Sequence, residues 1–138
     1  MKPVRQVSDN DCFCACIASL LEVPLPLVPV CADGTIDYQI RQTQKWLAVL
    51  GYTFIDIPVH CKKGKPAMPC TRSQAPVYAI ATLAVPGRTN SHAVVVKINA
   101  RRIAFIHDPA GNDRSDYGKL LAIGFLVPLE PTYREASP

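Results

Sequence analysis

Cys12, Cys14 and Cys16 occupy alternate positions in QVSDNDCFCACIASLLE, residues 6–22, where an apolar helix begins. A cysteine is a small hydrophobe when buried and a nucleophile or metal ligand when ionised. A nucleophilic thiol needs four things: a field that favours the thiolate, a base within hydrogen-bond reach, a group that orients the base, and donors for the oxyanion. Cys12 alone of the three falls in the first helical turn, where unpaired N–H groups and the helix macrodipole favour a thiolate. Cys14 and Cys16 lie deeper, and Cys16 falls on the apolar stripe, which reads as core.

The base must be His60, His92 or His107. His92 opens the alternating run HAVVVKI, and His107 closes RIAFIHD immediately before Asp108. A hairpin with loop residues 99–101 sets Ile98 opposite Arg102, Val94 opposite Ile106 and His92 opposite Asp108. Directly opposed residues of an antiparallel pair have Cβ atoms roughly 4.5–5.5 Å apart. An imidazole beside a carboxylate has its tautomer fixed and its protonated form stabilised. A change of one residue in loop length would undo this pairing. His107 falls on the opposite strand face and takes no role.

Positioning these groups requires a helix and a sheet. Residues 12–22 read as a helix, with Ala15, Cys16, Ser19 and Leu20 at 3–4 spacing and Asp9, Asn10 and Asp11 offering capping oxygens. Pro24, Pro26 and Pro29 then break regularity. Residues 37–50 form a second amphipathic pattern, with Ile40, Thr43, Leu47 and Leu50 along one side, Trp46 at packing spacing and Gly51 as a stop. Strands are expected at 52–58, 77–85, 92–98, 102–108 and 124–130. A helical half followed by a run of strands is an α+β order rather than alternating βαβ. Between them, residues 59–76 make one long irregular segment. Its length and its Gly64, Pro66 and Pro69 predict a mobile loop beside the active cleft. Residues 131–138 read as a flexible tail on a single domain spanning 1–138.

The chain has 138 residues, 49% hydrophobic and 19% charged, which is a globular composition with room for one core. No apolar run approaches the roughly 18 residues of a membrane helix, and the opening MKPVRQVSDND lacks the apolar region of a signal peptide. The expected location is therefore cytoplasmic, with no membrane partner and with reduced cysteines. The net charge of +4 is spread over Lys2, Arg5, residues 62–65, Arg101 and Arg102, with no basic stripe interleaved with aromatics, so nucleic acid is not the expected partner. His60, Cys61 and Cys70 match no standard zinc spacing, and no metal or cofactor is expected.

Gln6, then Asp11-Cys12 opening a helix, then a strand beginning at His92, then HDPAG around Asp108: this order resembles the papain-like cysteine peptidase superfamily. It is most similar to the bacteriocin-processing (C39-like) peptidase domains of ABC exporters and to small C39-like bacterial and phage proteins. The resemblance spans roughly residues 3 to 128 and is concentrated in three short islands. The stretch ACIASLLEVPLPLVP also resembles short proteins of this type. The exporter domains usually carry Gly after the cysteine, where this chain has Phe13. Carried over residue by residue, the resemblance implies Cys12 as nucleophile, His92 as base, Asp108 as orienter and Gln6 as oxyanion donor. It further implies a papain-like α+β fold, with the cysteine-bearing helix packed on an antiparallel sheet. The implied activity is thiol hydrolysis of a peptide or isopeptide bond in a peptide or protein substrate. An acyltransferase using the same triad, and a non-catalytic binding module on the same fold, are the alternatives; the oligomeric state is not readable.

Overall fold

The computed structural model describes residues 1–29, 36–62, 65–66, 75–100 and 102–130. Among the described residues two α-helices, α1 (Cys12–Leu21) and α2 (Ile36–Val49), precede seven strands. These are β1 (Tyr52–Pro58), β2 (Cys61–Lys62), β3 (Lys65–Pro66), β4 (Val77–Ala84), β5 (Ser91–Ile98), β6 (Ile103–His107) and β7 (Leu120–Pro128). Five of them form one antiparallel sheet in the order β1-β7-β4-β5-β6, while β2 and β3 pair separately. The class is α+β, in the order the sequence implies. Among the described residues no helix is long and apolar enough to cross a membrane.

α1 is buried almost all round, because Cys14, Ala15, Cys16, Ala18 and Ser19 are small enough to let it sit close to the sheet. It packs with Leu47, Phe54, Ile80, Ala93 and Val95. The other face of the sheet has its own core of Ala79, Ala81, Leu83, Val94, Val96, Ile98 and Ile123. The period-2 alternation of β5 thus sends Ala93 and Val95 to one core and Val94 and Val96 to the other. On α2, Thr43 and Leu47 are buried and Trp46 packs against the same core, as their spacing predicts. Leu50 is exposed instead, because α2 ends at Val49 and the chain turns at Gly51, whose φ is +81°.

Two sequence expectations need correction. Residues 59–76 are not irregular throughout. The Val59 N–H donates to the Leu121 carbonyl, and Cys61–Lys62 pairs with Lys65–Pro66. Residues 63–64 and 67–74 of that segment, Cys70 among them, and the expected tail at 131–138 lie outside the described residues. The β5–β6 register also differs from the plain hairpin. Ile98 pairs with Ile103 rather than Arg102, because Asn99 closes a wider turn, accepting from the Arg102 N–H at 3.0 Å through its Oδ1. An irregularity between Val95 and Val96 then sets Val95 against His107. Asp108 therefore lies past the end of β6 and has no strand partner of its own.

Candidate active site

Cys12 is the first residue of α1 and is half-buried, whereas Cys14 and Cys16 are buried. Burial pushes the Cys14 thiol up, against the hydrogen bond from Gln39 Nε2, and pushes Cys16 well up. A neutral thiol is a poor nucleophile, so neither suits the role. The expected capping of α1 does not occur through Asp11. Its carboxylate turns back instead and accepts the Val7 and Ser8 N–H groups, each at 3.2 Å from both oxygens. That contact closes the loop joining Gln6 to Cys12 and leaves the helix N-terminus without a side-chain cap from this residue.

Phe13 raises the question of access to the thiol. Its ring points away, meeting Phe54 edge-on with centroids 5.0 Å apart at 72°. Phe54 in turn lies over Gly124, where a Cβ would overlap its ring. Phe13 thus packs against the core between α1 and β1.

His92 is the second residue of β5, 8% exposed, and its Nε2 donates to Asp108 Oδ1 at 2.7 Å. Cys12 also acts on this ring, favouring its protonated form. Burial disfavours the imidazolium, yet the hydrogen bonds and charges of Cys12 and Asp108 outweigh it and raise the ring's basicity. Asp108 shows the reverse: burial opposes its ionisation, but bonds from Tyr117, His92 and the Ala110 N–H hold its carboxyl below the ordinary carboxylate value. Cys12, His92 and Asp108 therefore form one connected chain of side chains.

Asp108 reaches His92 despite the changed register because a turn, not a strand, presents it. The Gly111 N–H closes on the Asp108 carbonyl at 3.0 Å. The Ala110 and Asn112 N–H groups donate to Oδ1 and Oδ2 at 2.7 and 3.2 Å. Pro109 and Gly111, with φ +81°, supply the turn chemistry.

The segment before α1 is fastened to this turn. The Gln6 N–H donates to the Pro109 carbonyl at 3.1 Å, while Gln6 Oε1 is buried with no hydrogen-bond partner. The Val4 N–H donates to Ser19 Oγ at 2.9 Å. His107 has a definite contact that its position in the sequence did not announce: its Nε2 donates to the Val4 carbonyl at 2.8 Å.

Sequence reasoning missed Tyr117. Its hydroxyl donates to Asp108 Oδ2 at 2.5 Å and accepts from Asn112 Nδ2 at 3.0 Å, and its ring stacks on His92 with centroids 4.9 Å apart at 6°. No motif in DRSDYGK marks it; the turn residues around it show only that the chain reverses there. Among the described residues no group of three His, Cys, Asp or Glu side chains is gathered as a metal site. The arrangement offers a thiol, a base with raised basicity and a fixed carboxylate, the parts needed for covalent acyl transfer. Neither a protein-family model nor a curated protein matches the chain.

Proposed function

We propose that the protein is a cysteine hydrolase of the papain-like, C39-like kind, cleaving a peptide or isopeptide bond of a peptide or protein substrate. The observation that carries this reading is the His92 imidazole, bound through Nε2 to Asp108 at 2.7 Å and made more basic by Cys12 and Asp108 together. Ionised Cys12 attacks the carbonyl carbon, and the oxyanion is met by the Gln6 amide and the N–H groups of the first turn of α1. Protonated His92 gives its proton to the departing amine, leaving a thioester on Cys12. His92 then takes a proton from water as the water attacks the thioester, and the acid product leaves with the thiol restored. A free thiol suits a reducing compartment, which favours a cytoplasmic setting.

Two measurements test it. Limiting iodoacetamide followed by peptide mapping should modify Cys12 well before Cys14 and Cys16; preferential labelling of either of those would remove Cys12 from the role. A p-nitrophenyl ester should leave an acyl group on Cys12 that turns over in the wild type and never forms in Cys12→Ala. Absence of any acyl adduct on the wild type would overturn the hydrolase reading.

A further inference from the structure

We infer that Tyr117 is a positioning residue that fixes the His92–Asp108 pair through two separate contacts; the inference rests on the reading of Cys12, His92 and Asp108 as the reacting groups. The first contact is the near-parallel stack of the Tyr117 ring on His92. A histidine ring on a strand can turn about its last side-chain bond. A flat aromatic surface against one face confines that rotation and keeps the Nε2 edge at Asp108. The second contact is the phenol hydrogen bond to Asp108 Oδ2. It completes a set of four donors on one carboxylate: His92 Nε2 and the Ala110 N–H on Oδ1, the Asn112 N–H and the Tyr117 hydroxyl on Oδ2. With its lone pairs engaged this way, the carboxylate cannot swing to another acceptor geometry.

The chain places Tyr117 with care. The Arg114–Asp116 turn ends on it: the Tyr117 N–H donates to the Arg114 carbonyl at 3.2 Å, and Arg114 Nη1 donates to the Tyr117 carbonyl at 3.0 Å. The Asp113 N–H donates to Asp116 Oδ2 at 2.9 Å. The next residue, Gly118, donates its N–H to the Ala84 carbonyl at 2.8 Å. Ala84 is paired with Ser91, beside His92. The phenol itself is held in its neutral, donating form: burial and the Asp108 bond push its pKa up to about 12.

The two contacts make separable predictions. The titratable groups facing His92 are Cys12 from α1, Asp108 from the turn after β6, and Tyr117. Tyr117→Phe keeps the stack and removes the donor. Asp108 then becomes a more basic acceptor, and the imidazolium is stabilised further, so His92 should titrate at higher pH than in the wild type. Tyr117→Leu removes both contacts, and Cys12 alkylation should slow by on the order of tenfold or more as the ring loses its fixed orientation. Asn112→Ala, at an exposed position, weakens polarisation of the phenol and should shift His92 in the same direction as Tyr117→Phe by a smaller amount.

The test is a histidine-labelled NMR titration of the full chain, with His60 and His107 assigned by substitution, in a Cys12→Ser background and in the wild type. An upward shift of the His92 inflection in Tyr117→Phe, with a smaller shift in Asn112→Ala, supports the positioning role. An inflection unchanged in both variants, while each remains folded by circular dichroism, overturns it and leaves Tyr117 as packing. The readout does not depend on turnover. A shift of His92 in a protein whose Cys12 forms no acyl adduct would sink the hydrolase reading and keep this one.

Discussion

Two loops flank the thiol and imidazole, and each is organised by one buried carboxylate. In the loop before α1, Asp11 is 4% exposed and accepts the Val7 and Ser8 N–H groups. In the loop after β6, Asp108 is 5% exposed and accepts two N–H groups, a phenol and an imidazole. The same side chain at the same depth thus does different work. Asp11 engages backbone donors, so it shapes a loop and through it the placement of Gln6 and Cys12. Asp108 also shapes its loop, but one acceptor site is left for His92, and that site couples the turn to an ionisable ring. Burial of a carboxylate therefore says little about its role; the identity of its donors decides.

The sharpest way to break this comparison is to compare substitutions in the two loops by the alkylation rate of Cys12 near pH 6. His92→Ala removes both cation and base, and the rate should fall by on the order of a hundredfold. Asp108→Asn keeps the imidazole but loses the charge that stabilises it, so a fall of about tenfold is expected. Asp11→Ala should change the rate by no more than about twofold while lowering stability by about 1–2 kcal/mol, because two N–H groups lose their acceptor. Equal slowing by Asp11→Ala and Asp108→Asn would erase the distinction between the loops. Identical rates in the wild type, His92→Ala and Asp108→Asn would uncouple the thiol from the imidazole altogether.

The two loops also differ in how far the sequence disclosed them. Both helices, the strands of the large sheet apart from the early start of β7 at Leu120, and the core placement of Cys16 follow from periodicity; Cys12 and the His92–Asp108 pair are legible from helix position and strand alternation, Gln6 only from the family resemblance, and the structure brings His92 and Asp108 together. The route to that contact does not follow from the hairpin arithmetic. Asn99 widens the turn and an irregularity at Val95 shifts the register, and neither effect has a residue-level signal stronger than the alternation itself. The contact survives because Asp108 is carried by its own Asp-Pro-Ala-Gly turn, which aims the carboxylate independently of strand register. Asp11 misled for a related reason. An acidic residue just before a helix reads as a cap, but a carboxylate also finds N–H donors in the loop behind it. Tyr117 was illegible because a long-range stack leaves no periodic mark.

The smallest expected effect separates the two carboxylates by the pH dependence of stability. His92 holds its proton more tightly folded than unfolded, so its contribution is full below its unfolded value of about 6.5 and fades as pH rises through the folded value. Asp108 is shifted the other way, so its contribution is present above its unfolded value of about 3.9 and fades as pH falls through the folded one. The pair should therefore stabilise most between about pH 4 and 6.5. Urea unfolding of the wild type and Asp108→Asn should give a difference of about 1 kcal/mol near pH 5 that shrinks toward pH 8, as the imidazolium deprotonates. For Asp11→Ala the partners lost are backbone N–H groups, which do not titrate, so its stability deficit should stay level from pH 5 to 8. A deficit for Asp108→Asn that is equally level over that range would mean that His92 is not charged in the folded protein below pH 6.5. The ion-pair description of the site would fall with it.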